Sequence, residues 1–203
     1  MGMIKTILMH MFGRPQGRLG RLGGRIMALT NARCGAWVSD LLQIAPSDRV
    51  LEIGFGPGVV IAQLSNVARV GYIAGIDPSK EMFEQARARN AIAIKNGRVD
   101  LRCESVESLP FQDNTFDKAL AVNSMQVWSD PAAGLREMAR VMKPGARVAL
   151  GFTPHSGQKK KGLVEKLRAA GFANTNVVER DDCFCALGQK QGLSHQNPPE
   201  VSL

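Results

Sequence analysis

The stretch VLEIGFGPGVV, residues 50–60, sets an apolar run containing one acid, Glu52, directly before three glycines and a proline. An apolar run that stops at glycine reads as a buried strand, and VVIAQLSNVA, 59–68, follows it with helical spacing. Where a strand turns abruptly into a helix, glycines permit unusual backbone angles and leave no side chain between the chain and a ligand. Gly54, Gly56 and Gly58 therefore point to a nucleotide-like cofactor. A dinucleotide fingerprint wants its third glycine one position later, where this chain has Val59, and the Gly-Lys-Ser/Thr ending of a P-loop is absent. Pyrophosphate is not the favoured ligand.

Outward from this loop, strand-like and helix-like stretches alternate. GYIAGID, 71–77, is a second strand, and PSKEMFEQARARN, 78–90, opens a helix that puts Met82, Phe83 and Ala86 on one face. RVDLRCES, 98–105, and FDKALAVN, 116–123, are the third and fourth strands. DPAAGLREMARVMKPG, 130–145, is a helix capped by Asp130 and stopped by Pro144-Gly145. ARVALGFT, 146–153, gives a fifth strand, KKKGLVEKLRAAGF, 159–172, a helix, and NTNVVERDDCFCALGQ, 174–189, two final strands. The expected fold is α/β: a parallel sheet with helices on both faces and a closing hairpin, with ligands at the carboxyl ends of the strands. Residues 1–44 read as a basic helical cover whose Trp37, Val38, Leu41 and Leu42 pack on the sheet, 45–190 as the main domain, and 191–203 as a tail.

Asp77 stands 19 positions after Gly58 at the end of the second strand, where a carboxylate accepts from ribose hydroxyls. The alternative is a cap for the helix over Pro78 and Ser79; ribose binding is the favoured role, and the two are compatible.

Four stretches in this order, VLEIGFGPG, GIDPSKEMFEQA, SLPFQDNTFDKALAVNS and LREMARVMKPGARVAL, closely resemble the class I S-adenosylmethionine-dependent methyltransferases, in particular the ubiquinone and menaquinone biosynthesis type. The resemblance spans roughly residues 45–188. It implies a Rossmann-like seven-stranded sheet with an antiparallel last strand, and S-adenosylmethionine as cofactor. Carried onto this chain, Gly54, Phe55, Gly56 and Gly58 would lie against the methionine and ribose, Glu52 would orient the loop and amino group, and Asp77 and Pro78 would meet the ribose. Met82 would pack near the adenine. Where the family commonly has an acid for the adenine amino group this chain has Ser105, so Ser105 with the Val106 backbone, or Glu104, would take that role. Asn123 falls where cofactor and acceptor meet.

The chemistry so implied is in-line attack of an acceptor N, O, S or C on a sulfonium methyl, for which alignment and desolvation supply much of the acceleration. His155 is the best-placed histidine for a base, ahead of His10 and His195, and Asn123, Gln126 and Trp128 suit an acceptor wall or, for Trp128, core packing. No NPPY-type tetrad of nucleobase-amino methyltransferases is present.

The net charge of +8 is concentrated at the front: residues 1–39 hold Lys5, Arg14, Arg18, Arg21, Arg25 and Arg33 and no acid. This segment is expected to close over the site, with Arg25, Asn31 or Arg33 near the cofactor carboxylate or an anionic substrate. Beside MIKTILMHMF it also suits peripheral contact of residues 1–35 with anionic membrane. The expected acceptor is thus a small molecule or lipid. Nucleic acid fits poorly, since few aromatics are available to stack bases. An RNA or protein methyltransferase and a non-catalytic cofactor-binding partner protein are the alternatives. The four cysteines form no C-x-x-C pair, Cys183 and Cys185 read as core residues rather than metal ligands, and a reduced cytoplasmic compartment fits. No apolar run is long enough to span a membrane, and MGMIKT meets a loose myristoylation pattern at Gly2 and Thr6.

Overall fold

Strand β1, Arg49–Ile53, is buried at every position after Arg49, as a strand covered on both faces must be. In the computed structural model, which describes residues 31–181 and 183–192, it lies inside a seven-stranded sheet. The other strands are β2 (Tyr72–Ile76), β3 (Val99–Arg102), β4 (Phe116–Val122), β5 (Met142–Phe152), β6 (Phe172–Arg180) and β7 (Cys183–Lys190). Their spatial order is β3-β2-β1-β4-β5-β7-β6. All pairings from β3 to β5 are parallel, and β7 runs antiparallel to both β5 and β6. The chain first winds from β1 towards β3 and then returns to place β4 on the other side of β1. That reversal opens a crevice at the carboxyl ends of β1 and β4.

Helices cover both faces. Leu51, Ile53, Ala121 and Leu150 share one apolar cluster with α5 (Pro131–Val141) and α6 (Leu163–Ala169). Val50, Leu120 and Ala149 share the opposite one with α1 (31–42) and α2 (Val59–Val67). Helices α3 (Lys80–Arg89) and α4 (Ala91–Lys95) pack against β3. Helix α1 docks closely because glycine stands at both contacts: a Cβ on Gly151 of β5 would lie 2.4 Å from Val38, and one on Gly35 would lie 2.4 Å from Val60 of α2. Val38 and Leu42 are fully buried there, with Trp37 and Leu41 packed alongside.

Capping follows the sequence signals. Ser79 Oγ accepts from Met82 N at the start of α3, and Asp130 accepts from the amides of Ala132 and Ala133 at the start of α5. Pro144-Gly145 does not stop a helix. Helix α5 ends at Val141, and β5 begins at once because Met142 pairs with Phe116; the register then shifts, so that Lys118 faces Arg147 and Gly145 takes a left-handed φ of 78°. Helix α6 begins only after Gly162, leaving Lys159, Lys160 and Lys161 in the preceding loop. Helix α4 escaped the periodicity reading because five residues are too few to show a face.

Cys183 and Cys185 pack in the cluster on the α1 side, and no group of side chains suited to hold a metal occurs among the described residues. No helix among the described residues is long and apolar enough to cross a membrane. The arginine-rich stretch before residue 31, the myristoylation pattern, His10, His195 and most of the tail lie outside the described residues.

Candidate active site

The glycine loop folds back across two strands. Gly54, with φ 74°, donates its N–H to the carbonyl of Ile76 at 2.7 Å, while the Ser124 hydroxyl donates to the carbonyl of Ile53 at 2.7 Å. The ends of β1, β2 and β4 are thereby laced together. A Cβ on Gly54 would lie 2.3 Å from Ser124 Cβ, so glycine is required by conformation and by space. Gly58, also at φ 74°, serves packing: its missing Cβ faces Ala86 of α3 at 2.7 Å. Phe55 turns its side chain into the α1-side core, leaving the loop a bare backbone surface.

Asp77 binds this loop to the next element. One carboxylate oxygen accepts from Gly56 N at 2.8 Å and the other from Ser79 N at 2.9 Å. The bond to Ser79 is the anticipated brace before α3, the bond to Gly56 is one the spacing did not show, and each oxygen retains a lone pair for a further donor. Burial pushes its pKa up to about 6, against the lowering effect of these two hydrogen bonds. Glu52 is more confined. It is 1% exposed, and its Oε2 has no hydrogen-bond partner. Burial first, and the nearby Asp77 charge second, hold its pKa well above the usual carboxylate range. Two buried carboxyls, one with an unmatched oxygen, suit a ligand that brings hydroxyl donors and a positive charge. S-adenosylmethionine has both, in its ribose and its ammonium group.

Around this core, Pro78 is exposed at the end of β2, and Met82 is buried within α3. Past β3, Glu104 and Ser105 are exposed and Val106 is buried. Ser105 donates its hydroxyl to Glu107, a partner the sequence reading did not single out.

At the end of β4, Asn123 is held on every side. Its N–H donates to Gly151 O at 2.9 Å, its Oδ1 accepts from Thr153 N at 2.8 Å, and its Nδ2 donates to Asn31 Oδ1 at 2.8 Å. Its carbonyl accepts from Gln126 Nε2 at 2.7 Å. With φ at 51°, Asn123 is a junction of β4, β5 and α1, and its amide is occupied in fixing that junction. Thr153, which sequence reasoning missed, is its counterpart just past the end of β5. Gln126 keeps a buried Oε1 without a partner in the same region. Trp128 packs partly buried over Gly134 of α5, whose absent Cβ would lie 2.8 Å from the indole ring. His155 is exposed in a short turn, Pro154–Ser156, just past β5. Arg33 is exposed two residues from Asn31, and Arg25 lies outside the described residues.

Known proteins agree with this geometry. Residues 51–150 match the family model described as a methyltransferase domain. YdaC of Bacillus subtilis, named an uncharacterized methyltransferase, is 29% identical over 181 residues, covering 83% of this chain and 98% of YdaC. YrhH of the same organism, also named as a methyltransferase, is 31% identical over 151 residues, covering 74% of this chain and 83% of YrhH. In fold, a SAM-dependent methyltransferase from Aquifex aeolicus is similar with a TM-score of 0.69 at 24% identity, over 76% of this chain and 88% of that one. With its glycine loop and buried acids at the crevice between β1 and β4, the chain belongs to the class I S-adenosylmethionine-dependent methyltransferases, and S-adenosylmethionine is its cofactor.

Proposed function

We propose that the enzyme methylates a small-molecule or lipid-like acceptor that approaches the carboxyl ends of β4 and β5. The observation that carries this reading is the bond from Asn123 Nδ2 to Asn31 Oδ1 at 2.8 Å. It brings the first described turn of α1, the turn that follows the basic residues 1–30 in the chain, to the end of β4. The connection from β5 to α6 contributes only a short turn there. Among the described residues this leaves Gln126, whose Oε1 is unpartnered, as the polar group offered to an acceptor beside that edge. The resemblance of the four motifs to the quinone-biosynthesis methyltransferases supports a lipid-like acceptor, and the cations of residues 1–35 suit an anionic membrane surface as the place to meet it.

The cofactor supplies a sulfonium methyl that the acceptor attacks in line. Glu52 offers the buried negative charge that holds an ammonium group, Asp77 offers its lone pairs to ribose hydroxyls, and the bare Gly54–Gly58 backbone permits close approach. Asn123 and Ser124 fix the relative positions of the strand ends, which is the alignment that a methyl transfer needs.

The test is transfer of labelled methyl from the cofactor into lipid, RNA and protein fractions of a cell extract, by the full chain and by a variant lacking residues 1–30. The reading expects label in the lipid fraction from the full chain, and loss of that label with S-adenosylhomocysteine binding retained in the shortened one. Label confined to RNA or protein would overturn it.

A further inference from the structure

We infer that Glu107 is a positioning residue for cofactor specificity: it fixes the Ser105 proton so that Ser105 Oγ can only accept, and thereby selects a 6-aminopurine over a 6-oxopurine. This rests on the cofactor assignment above.

The placement follows from the order of strands. The methionine part belongs at β1, beside the unmatched Glu52 oxygen, and the ribose at Asp77 on the end of β2. Beyond β2 the next strand is β3, at the edge of the sheet. A nucleoside whose ribose sits at β2 and whose other end points to β1 must lay its base over the end of β3. Ser105 is exposed there, in the loop that follows β3, with its carbonyl accepting from Ser108 N at 3.3 Å. Next to it Cys103 Sγ lies 3.7 Å from the carbonyl of Pro78, so the ends of β2 and β3 meet at this point.

The proton count then decides what Ser105 can do. A hydroxyl has one proton and two lone pairs, whereas an ionised carboxylate only accepts. Glu107 accepts from the Ser105 hydroxyl through Oε2 and from Asp130 N through Oε1 at 3.0 Å. Burial pushes the Glu107 pKa up, but the hydrogen bonds from Ser105 and from the backbone of Asp130 outweigh it and leave it below the usual carboxylate range. The carboxylate is therefore ionised at neutral pH, and the Ser105 proton is committed to it. What remains on Oγ is a pair of acceptor sites, strengthened by the charge behind the donated proton. The exocyclic amine of adenine donates to such a site. A 6-oxo group would meet it lone pair to lone pair. An aspartate at position 105 would accept in the same sense, so the serine and glutamate together do what one acid would do. The backbone bond to Asp130 N, at the cap of α5, keeps Glu107 from following the hydroxyl if it rotates.

The experiment is calorimetric measurement of Kd for S-adenosylhomocysteine and for its hypoxanthine counterpart, S-inosylhomocysteine, using the full chain and the variants Ser105→Ala, Ser105→Thr and Glu107→Ala. The wild type is expected to prefer the 6-amino ligand. Ser105→Ala should reduce that preference about fivefold to tenfold through loss of adenine affinity, the size of one hydrogen bond. Glu107→Ala should reduce it similarly, by gain of affinity for the 6-oxo ligand, because the freed hydroxyl can donate. Ser105→Thr, which keeps the hydroxyl, should preserve it. If Glu107→Ala weakens both ligands equally, Glu107 is only a structural brace and the proposal falls. It also falls if Ser105→Ala leaves the ratio unchanged. Wild-type protein that binds neither ligand would instead refute the cofactor assignment, and this proposal with it.

Discussion

Glu52 and Asp77 are buried in a cradle that supplies donors to one of them and leaves an oxygen of the other bare. The pKa of Asp77 rises from 3.8 to about 6, and that of Glu52 rises well above 4.5. A carboxyl whose folded value exceeds its unfolded value contributes most to stability below the unfolded value, and that contribution is lost as pH rises through the folded one. Ligand donors reverse the preference, because hydroxyls and an ammonium favour the ionised forms. Cofactor affinity is therefore expected to increase as pH rises through about 6. Binding near that pH should release protons, which calorimetry in buffers of different ionisation enthalpy will detect. Glu52→Gln should stabilise the ligand-free protein at pH 8, by about 1–3 kcal/mol, while weakening S-adenosylhomocysteine binding; thermal melting with and without ligand checks both halves. Gly54→Ala meets a left-handed φ and a 2.3 Å approach to Ser124 together, so a loss of about 2–4 kcal/mol in urea unfolding is expected. At this scale the sequence displayed which residues carry the chemistry but not their bonds. Asp77 stood out by spacing alone, yet its hold on Gly56 depends on two strand ends meeting across 21 residues. Asn123 read as the place where cofactor and acceptor meet, and only its polar contacts show it to be a junction of the strand ends as well.

Among elements, the loop between β3 and β4 depends most on a single side chain. Arg140 of α5 donates to the carbonyls of Leu109 and Phe111, each at 2.9 Å, and to Asp113 and Glu137, each at 2.7 Å. Glu137 returns an acceptor to Leu109 N at 2.9 Å. The SLPF stretch and the helix LREMARV, which the sequence offers as separate motifs, are one clamp. Lysine cannot reproduce the planar fork, so Arg140→Lys should cost about 1–2 kcal/mol. Amide exchange should rise first in residues 109–113, ahead of the sheet. Most helices and strands were legible from an apolar period or, as in β1, from a continuous apolar run; α4 was too short to show either. The start of β5 was not, since Pro144-Gly145 is ordinarily punctuation, and only pairing of Met142 with Phe116 draws that segment into the sheet.

For the molecule as a whole, the alternation of strands and helices made the sheet legible from residue 49 onward, including its final hairpin. Which strand lies where follows from long-range pairing. Val50 pairs with Lys118 on one side and Ile73 on the other. The last strand has a particular place: β7 is not at the rim but between β5 and β6, with Phe184 facing Phe152 and Glu179. A chain ended after residue 181 would leave β5 with a bare edge, and such an edge invites association; expression of that shortened chain should give a larger insoluble fraction than expression of the full chain.

Synthesis on the ribosome proceeds in the same direction as that shortening undone. Between the synthesis of Phe152 and that of β7, β5 has β4 as its one strand partner, while Thr153 just past its end already has Asn123 to hold. The glycine loop and Asp77 emerge early, and the far flank of β5 is paired only when Cys183–Lys190 enters between β5 and β6. A nascent chain can thus bring the glycine loop and Asp77 together before β7 gives β5 its second strand partner.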